Sequence, residues 1–318
     1  MNTDEHRLRL VGTARSDAVF LSISYLCLSV FICGSMTGCR ARVIEAHKPV
    51  NYLGPIDPIE QVIGTIATNN QKIPTLRGEG SFEAWIREAP QGKTQFVNGD
   101  LTLLYQQPQF IRIIAKKPAA GTIFDIGGND TEYWVTLPTQ DTMRWGSYAN
   151  IENVDPELVP IRPDLVLEVL GILPMQTNLL QPPAPVMRFN SDYDMYMIVW
   201  SQPTQTHWAA VKEIWYDRKT LLPQMVLLFD ASGRVVLRAR LYDHKPVEIE
   251  GVPESQWPLA ATRYELLFPL NGSKFDFDLK QDLALKRNNA PNQRTFVRPN
   301  ANNSGVSNNI PLDRTVTP

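Results

Sequence analysis

Histidines and cysteines are the first residues to weigh for catalysis or metal binding. His47, His207 and His244 lie in the body of the chain. All three cysteines, Cys27, Cys33 and Cys39, fall near the N-terminus, and none occurs between Arg40 and Pro318. This excludes a disulfide framework, a thiolate zinc site and a cysteine nucleophile beyond position 39. No H-E-x-x-H, G-x-S-x-G or G-x-x-x-x-G-K motif is present. Asp243-His244 is half of a dyad with no nucleophile motif to complete it, and reads as a pair at a strand end. Asp276 and Asp278 share a strand face, as an acid–base pair of carboxylates would. Lys274 and Lys280 flank them, so a solvated charged face is expected, as it is for Asp192 and Asp194. Gly127-Gly128-Asn129-Asp130 could cradle phosphate or calcium, but a hairpin turn accounts for it without a ligand. The expectation is a protein with no catalytic residue, no metal and no cofactor, and not an enzyme.

Composition narrows the partners. The 318 residues carry 31 basic and 33 acidic side chains, a net charge of −2. No basic stripe stands out, so nucleic acid is not an expected partner. Hydrophobic residues at 43% suffice for a real core.

The cysteine window needs its own explanation. A polar stretch with Arg7, Arg9 and Arg15 precedes 21 uncharged residues, Ala18 to Gly38. Met36-Thr37-Gly38-Cys39 then ends the apolar run. Small residues before a cysteine at that place resemble the lipobox of bacterial lipoproteins. The resemblance implies that residues 1–38 are a signal peptide and that Cys39 becomes an acylated first residue. The competing reading is an uncleaved anchor, since about 20 apolar residues can span a bilayer. Two or three acyl chains anchor firmly where one does not. Arg40 follows the cysteine, which favours the periplasmic face of the outer membrane over the inner membrane.

Residues 39–56 read as a spacer with Pro49 and Pro55. Residues 288–318 hold eight asparagines, four prolines and one aromatic, Phe296. Such a stretch cannot bury enough apolar surface to offset its ordering entropy, so a disordered tail is expected. The folded domain is then 57–287. It opens with a helix: Asp57 as cap, Pro58 at the first helical position, and Ile59, Val62, Ile63 and Ile66 on one face. Strands follow at Gly78–Ile86, Asp100–Gln106, Gln109–Ala115, Ile123–Ile126, Glu132–Leu137 and Thr142–Tyr148. The period changes over Asp155–Gly171, where Pro163-Asp164, an apolar helical stripe and Gly171 mark a central helical insert. Pro182-Pro183-Ala184-Pro185 reads as a stiff connector. More strands follow, ending in Lys274–Lys280, where Phe275, Phe277 and Leu279 alternate with Asp276, Asp278 and Lys280.

Several segments together resemble the LolA/LolB-like superfamily of lipoprotein carriers. They are Leu76-Arg77-Gly78-Glu79-Gly80, Gln107-Pro108-Gln109-Phe110-Ile111-Arg112, the pair Phe124–Ile126 and Tyr133–Val135, Trp215 through Pro223, and Phe229 through Arg234. The resemblance implies a mainly β (α+β) fold: an incomplete antiparallel β-barrel whose N-terminal helix and central helical insert cover an apolar cavity. It implies binding of lipid acyl chains or of a lipidated protein. The lipobox is closer to the outer-membrane acceptor than to the soluble carriers.

A surplus of large apolar side chains on the strands supplies candidates for lining such a cavity: Trp85, Phe110, Phe124, Trp134, Trp145, Met195, Met197, Trp200, Trp215 and Phe229. Their plain alternative role is to fill a barrel core. Two functions follow as expectations. One is a lipid-anchored envelope lipoprotein that binds acyl chains in lipid or lipoprotein sorting. The other is a structural or sensory envelope lipoprotein with a filled core that binds a protein partner.

Overall fold

A computed structural model describes residues 54–87, 94–118, 120–154, 159, 161–279, 284–285, 291–300 and 304–313. All belong to the unit Pro49–Pro318. The predicted signal peptide, Cys39 and most of the predicted spacer lie outside the described residues.

The architecture is mainly β. Fourteen strands form one sheet: β1 (Thr75–Arg87), β2 (Thr94–Gln106), β3 (Phe110–Lys117), β4 (Gly121–Gly128), β5 (Glu132–Leu137), β6 (Thr142–Ser147), β7 (Ala184–Asn190), β8 (Met195–Pro203), β9 (Trp208–Asp217), β10 (Pro223–Phe229), β11 (Val235–Tyr242), β12 (Arg263–Phe268), β13 (Ser273–Leu279) and β14 (Asn308–Pro311). The spatial order is β14-β6-β5-β4-β3-β2-β1-β13-β12-β11-β10-β9-β8-β7. Two meanders therefore meet where β1 pairs with β13, Phe82 opposite Phe277 and Glu83 opposite Asp276. β14 and β7 are the two edges, so the sheet does not close on itself. Every pairing is antiparallel except β14 on β6, which is parallel.

Alternation explains the sheet. In β13, Phe275, Phe277 and Leu279 are buried while Asp276 and Asp278 face outward. Across β1, β4 and β13 the inner face joins Phe82, Phe124 and Phe275, with ring centroids 5.3 to 5.9 Å apart. Tyr264 stacks on Phe277 at 4.5 Å. Fully burying one such aromatic contributes about 1.5–3 kcal/mol.

Two α-helices cover this inner face. α1 (Ile59–Gln71) buries Val62, Ile63, Ile66 and Ala67, the predicted stripe. Its start differs from expectation. Pro58 is the cap residue and no side chain caps the helix. Asp57 instead accepts from the Tyr196 hydroxyl at 3.1 Å and donates its own N–H back at 2.9 Å, tying the helix to β8. The far end is held by Asn70, whose amide donates to the Leu173 carbonyl at 2.9 Å and the Gly171 carbonyl at 3.3 Å. α2 (Pro163–Val169) is the core of the central insert, shorter than the predicted span. Gly171 follows it at φ +72°, a conformation that favours glycine. A Cβ there would also meet Pro223 at 2.7 Å.

Two more expectations need correction. Ala184 and Pro185 are not a connector but the start of β7, an edge strand, where a proline costs no interior hydrogen bond. The tail is not without structure either. Thr295, Phe296 and Arg298 lie against the outer face of β3, β5 and β6, Phe296 and Val306 are buried, and β14 extends the sheet at the edge of β6. Composition undervalued the segment because two of its apolar residues, Phe296 and Val306, are buried and part of its backbone pairs with β6.

Candidate functional site

The inner face is not dry throughout. β9 places Lys212, Ile214 and Tyr216 on that face, Lys212 opposite Trp200 of β8 and Leu228 of β10. A lysine in an inward register of an apolar strand is unfavourable unless paired. Its partner is Glu168, on the side of α2 turned away from its buried residues Val166 and Val169, with Nζ to Oε2 at 2.8 Å. The ammonium also sits 5.2 Å from the Trp200 ring centroid.

This ion pair divides a groove between α2 and β8–β11. On one side is a pocket of about 160 Å³ bounded by Asn70, Leu173, Met175, Trp200, Ile214 and Tyr216. On the other is one of about 360 Å³ bounded by Leu165, Ala209, Val211, Leu228, Phe229 and Val236. Glu168, Pro183 and Lys212 belong to both. Arg162 and Asp164, paired at 2.6 Å, edge the larger pocket. Burial first, and the Glu168 carboxylate second, push the Tyr216 hydroxyl well above its ordinary range, so it remains neutral. The groove is thus apolar at its floor and charge-paired at its middle.

The ten predicted lining residues do not converge. Trp200 borders the smaller pocket and Phe229 the larger. Phe124 is on the inner face but inside the packed core. The other seven belong to the opposite face. Trp134 and Trp145 stand opposite each other on β5 and β6, in the row that includes Arg112 and Gly127. Phe110 packs on Phe296 of the C-terminal segment at 5.6 Å. Met197 and Trp215 are opposite neighbours on β8 and β9, Met195 is two positions along, and Trp215 donates to Glu213 at 2.6 Å. Trp85 lies beside Phe96 at 5.1 Å. Size and polarisability, the basis of the choice, say nothing about strand parity, and parity sorts the faces.

Sequence reasoning passed over Asn70, Glu168, Lys212 and Met175. The alternation Lys212, Ile214, Tyr216 carried a signal for Lys212. Asp194 pairs with Arg218 at 2.6 Å, and Asp276 pairs with Lys274, although burial raises its pKa and leaves its Oδ1 without a partner. Asp243 reaches Arg263 at 3.6 Å, not His244. Asn129 closes its own turn by accepting from the Thr131 and Glu132 N–H groups at 2.9 Å. Among the described residues no three His, Cys, Asp or Glu side chains stand together as a metal site. Among them, too, no helix is long and apolar enough to cross a membrane.

No family model and no curated protein matches this chain. Several solved structures do. A DUF1329 family protein from Desulfovibrio piger is 14% identical, covers 76% of this chain and 98% of its own, and has a TM-score of 0.46. A LolA superfamily protein from Nitrosomonas europaea is 12% identical, with 74% and 97% covered and a TM-score of 0.45. An outer membrane lipoprotein-sorting protein domain from Vibrio parahaemolyticus is 10% identical, with 75% and 98% covered and a TM-score of 0.46.

Proposed function

We propose that this protein is a non-catalytic envelope lipoprotein, anchored through acylated Cys39 at the periplasmic face of the outer membrane, which takes up an acyl chain of a lipid or lipidated protein. The chain enters the groove between α2 and β8–β11. The observation that supports this reading best is the groove's form: an apolar floor of Trp200, Ile214, Leu228 and Phe229, interrupted by one ion pair that a ligand can displace. The larger pocket, at about 360 Å³, is at the lower end of the range for small-molecule sites, roughly 300–1,000 Å³. One chain fits that space better than a bulky multi-chain lipid.

The test is titration of the purified, delipidated protein with an environment-sensitive acyl probe. Saturable uptake, weakened by Leu228→Trp, supports the reading. Absence of saturable uptake at any probe concentration below its own aggregation point ends it. A second reading is a scaffold that binds a protein partner. The dense packing of Phe82, Phe124 and Phe275 beneath β1–β4 and β13 favours it, because that half of the inner face leaves no room for a guest.

A further inference from the structure

The two pockets of the groove follow one strand. Tyr216, Ile214 and Lys212 succeed one another on the inner face of β9, and Ala209 lies beyond them near its start. The first three border the smaller pocket, while Lys212 and Ala209 border the larger. From Tyr216 to Ala209 the strand covers roughly 20 Å, at about 3.3 Å per residue. The groove is therefore a linear track, with Lys212 and its partner Glu168 partway along it.

The two ends of the track differ in one respect. Around the larger pocket the charged groups already have partners: Arg162 holds Asp164 at 2.6 Å, and Arg234 holds Asp230 at 2.8 Å. Thr204, on the same border, donates to the His207 carbonyl at 2.7 Å. At the other end Tyr216 is only 1% exposed, yet its hydroxyl makes no hydrogen bond to any described residue. The neighbouring inner-face hydroxyls are both committed, Tyr196 to Asp57 at 3.1 Å and Tyr264 to the Ala261 carbonyl at 2.9 Å. A buried hydroxyl without an acceptor has lost its water and gained nothing in return. Since Tyr216 stays protonated, it offers a standing donor to whatever fills the pocket.

We propose that the smaller pocket receives the carbonyl by which an acyl chain is joined to the rest of its molecule, and that the Tyr216 hydroxyl donates to that carbonyl oxygen. The chain then lies in one direction, from Tyr216 past Ile214 and Lys212, with its tail in the larger pocket. Pro174 and Gln176, both exposed, border the smaller pocket, so the head group leaves the groove there. The opposite direction would set the carbonyl beside Leu228 and Val236 and leave the Tyr216 hydroxyl against an apolar tail. This inference rests on the reading that the groove takes an acyl chain. It narrows the ligand to single-chain acyl esters and amides, against alkyl ethers and hydrocarbons, which bring no such carbonyl.

The experiment uses the purified, delipidated full chain and two single-chain phospholipids of equal length, one joined by an ester and one by an ether. Each is titrated to displace an environment-sensitive acyl probe. The native protein should hold the ester about fivefold more tightly, the order of one hydrogen bond. In Tyr216→Phe that preference should vanish. The urea midpoint of this variant should not fall, because the hydroxyl it loses had no protein partner. Leu228→Trp should weaken a long-chain ester more than a short one, whose tail ends before the larger pocket. Equal affinity for ester and ether in the native protein overturns the inference and leaves acyl binding in place. A preference that survives Tyr216→Phe does the same. Equal losses for long and short chains in Leu228→Trp overturn the direction of binding. A probe that never binds saturably removes the acyl reading itself, and this inference with it.

Discussion

The Arg298 guanidinium lies 3.8 Å from the centroid of the Trp145 ring, and its Nε reaches Glu132 at 3.1 Å. One side chain thereby joins the C-terminal segment to both β5 and β6. Removing it by Arg298→Ala is expected to cost about 1 kcal/mol, combining a partly desolvated cation–π contact with a largely buried ion pair. Arg298→Lys should recover only part, because an ammonium cannot stack flat on the indole. Urea unfolding of the three proteins, alongside the rate of proteolysis within 291–313, measures both effects.

Glycines in the same region set a second expectation. A Cβ at Gly127 would meet the Trp134 ring at 2.2 Å. Gly127→Ala must displace an indole that is fully buried, and is expected to destabilise by roughly 1–3 kcal/mol. Gly64, inside α1, has nothing within 4 Å of its Cβ position. There the same substitution should stabilise by about 0.5–1 kcal/mol through helix propensity. Opposite signs in two equilibrium unfolding curves are the result that bears this out.

Lys212→Met tests the groove. It removes the ion pair with Glu168, whose side chain is 36% exposed and can hydrate once released. Stability should change by no more than about 1 kcal/mol. Acyl probe affinity should rise, since the two pockets then share one apolar wall. Equal or weaker binding by the variant would count against the groove as the seat of the ligand.

His244 gives a pH dependence. Burial lowers its pKa below 6.5, with the Pro223 backbone, Asp243 and Asp217 acting the other way. The folded state therefore holds the ring neutral while the unfolded chain takes up a proton below pH 6.5. The unfolded state binds more protons in that window, so stability is full above it and is lost as the pH falls through the folded value. The urea midpoint of the native protein should drop between about pH 7 and 5. His244→Gln should flatten that slope, and an unchanged slope would falsify the assignment.

Much of the sheet was legible because its signals are local. Gly127 to Asp130 and Asp230 to Gly233 announce hairpins, and the alternation in β13 announces a half-wet strand. α1 was legible in its stripe but not in its cap, because Asp57 is used by Tyr196, 139 positions away. The groove was not legible: Glu168 and Lys212 meet across the fold, and no periodicity joins them. The seat of Trp134 and Trp145 was missed for a related reason. What covers Trp145 is the segment richest in asparagine and poorest in apolar residues, which composition alone assigns to solvent.

The meeting of β1 with β13 bears on how the protein is made. Glu83 and Asp276 are opposite neighbours, yet about 190 positions separate them along the chain. As the polypeptide emerges, β1 can pair with β2 at once, but its other edge waits until nearly the whole domain has been synthesised. Such long-range pairing is slow to form. The sheet cannot be completed early, so the inner edge of β1 stays open until the last strands of the second meander have been made.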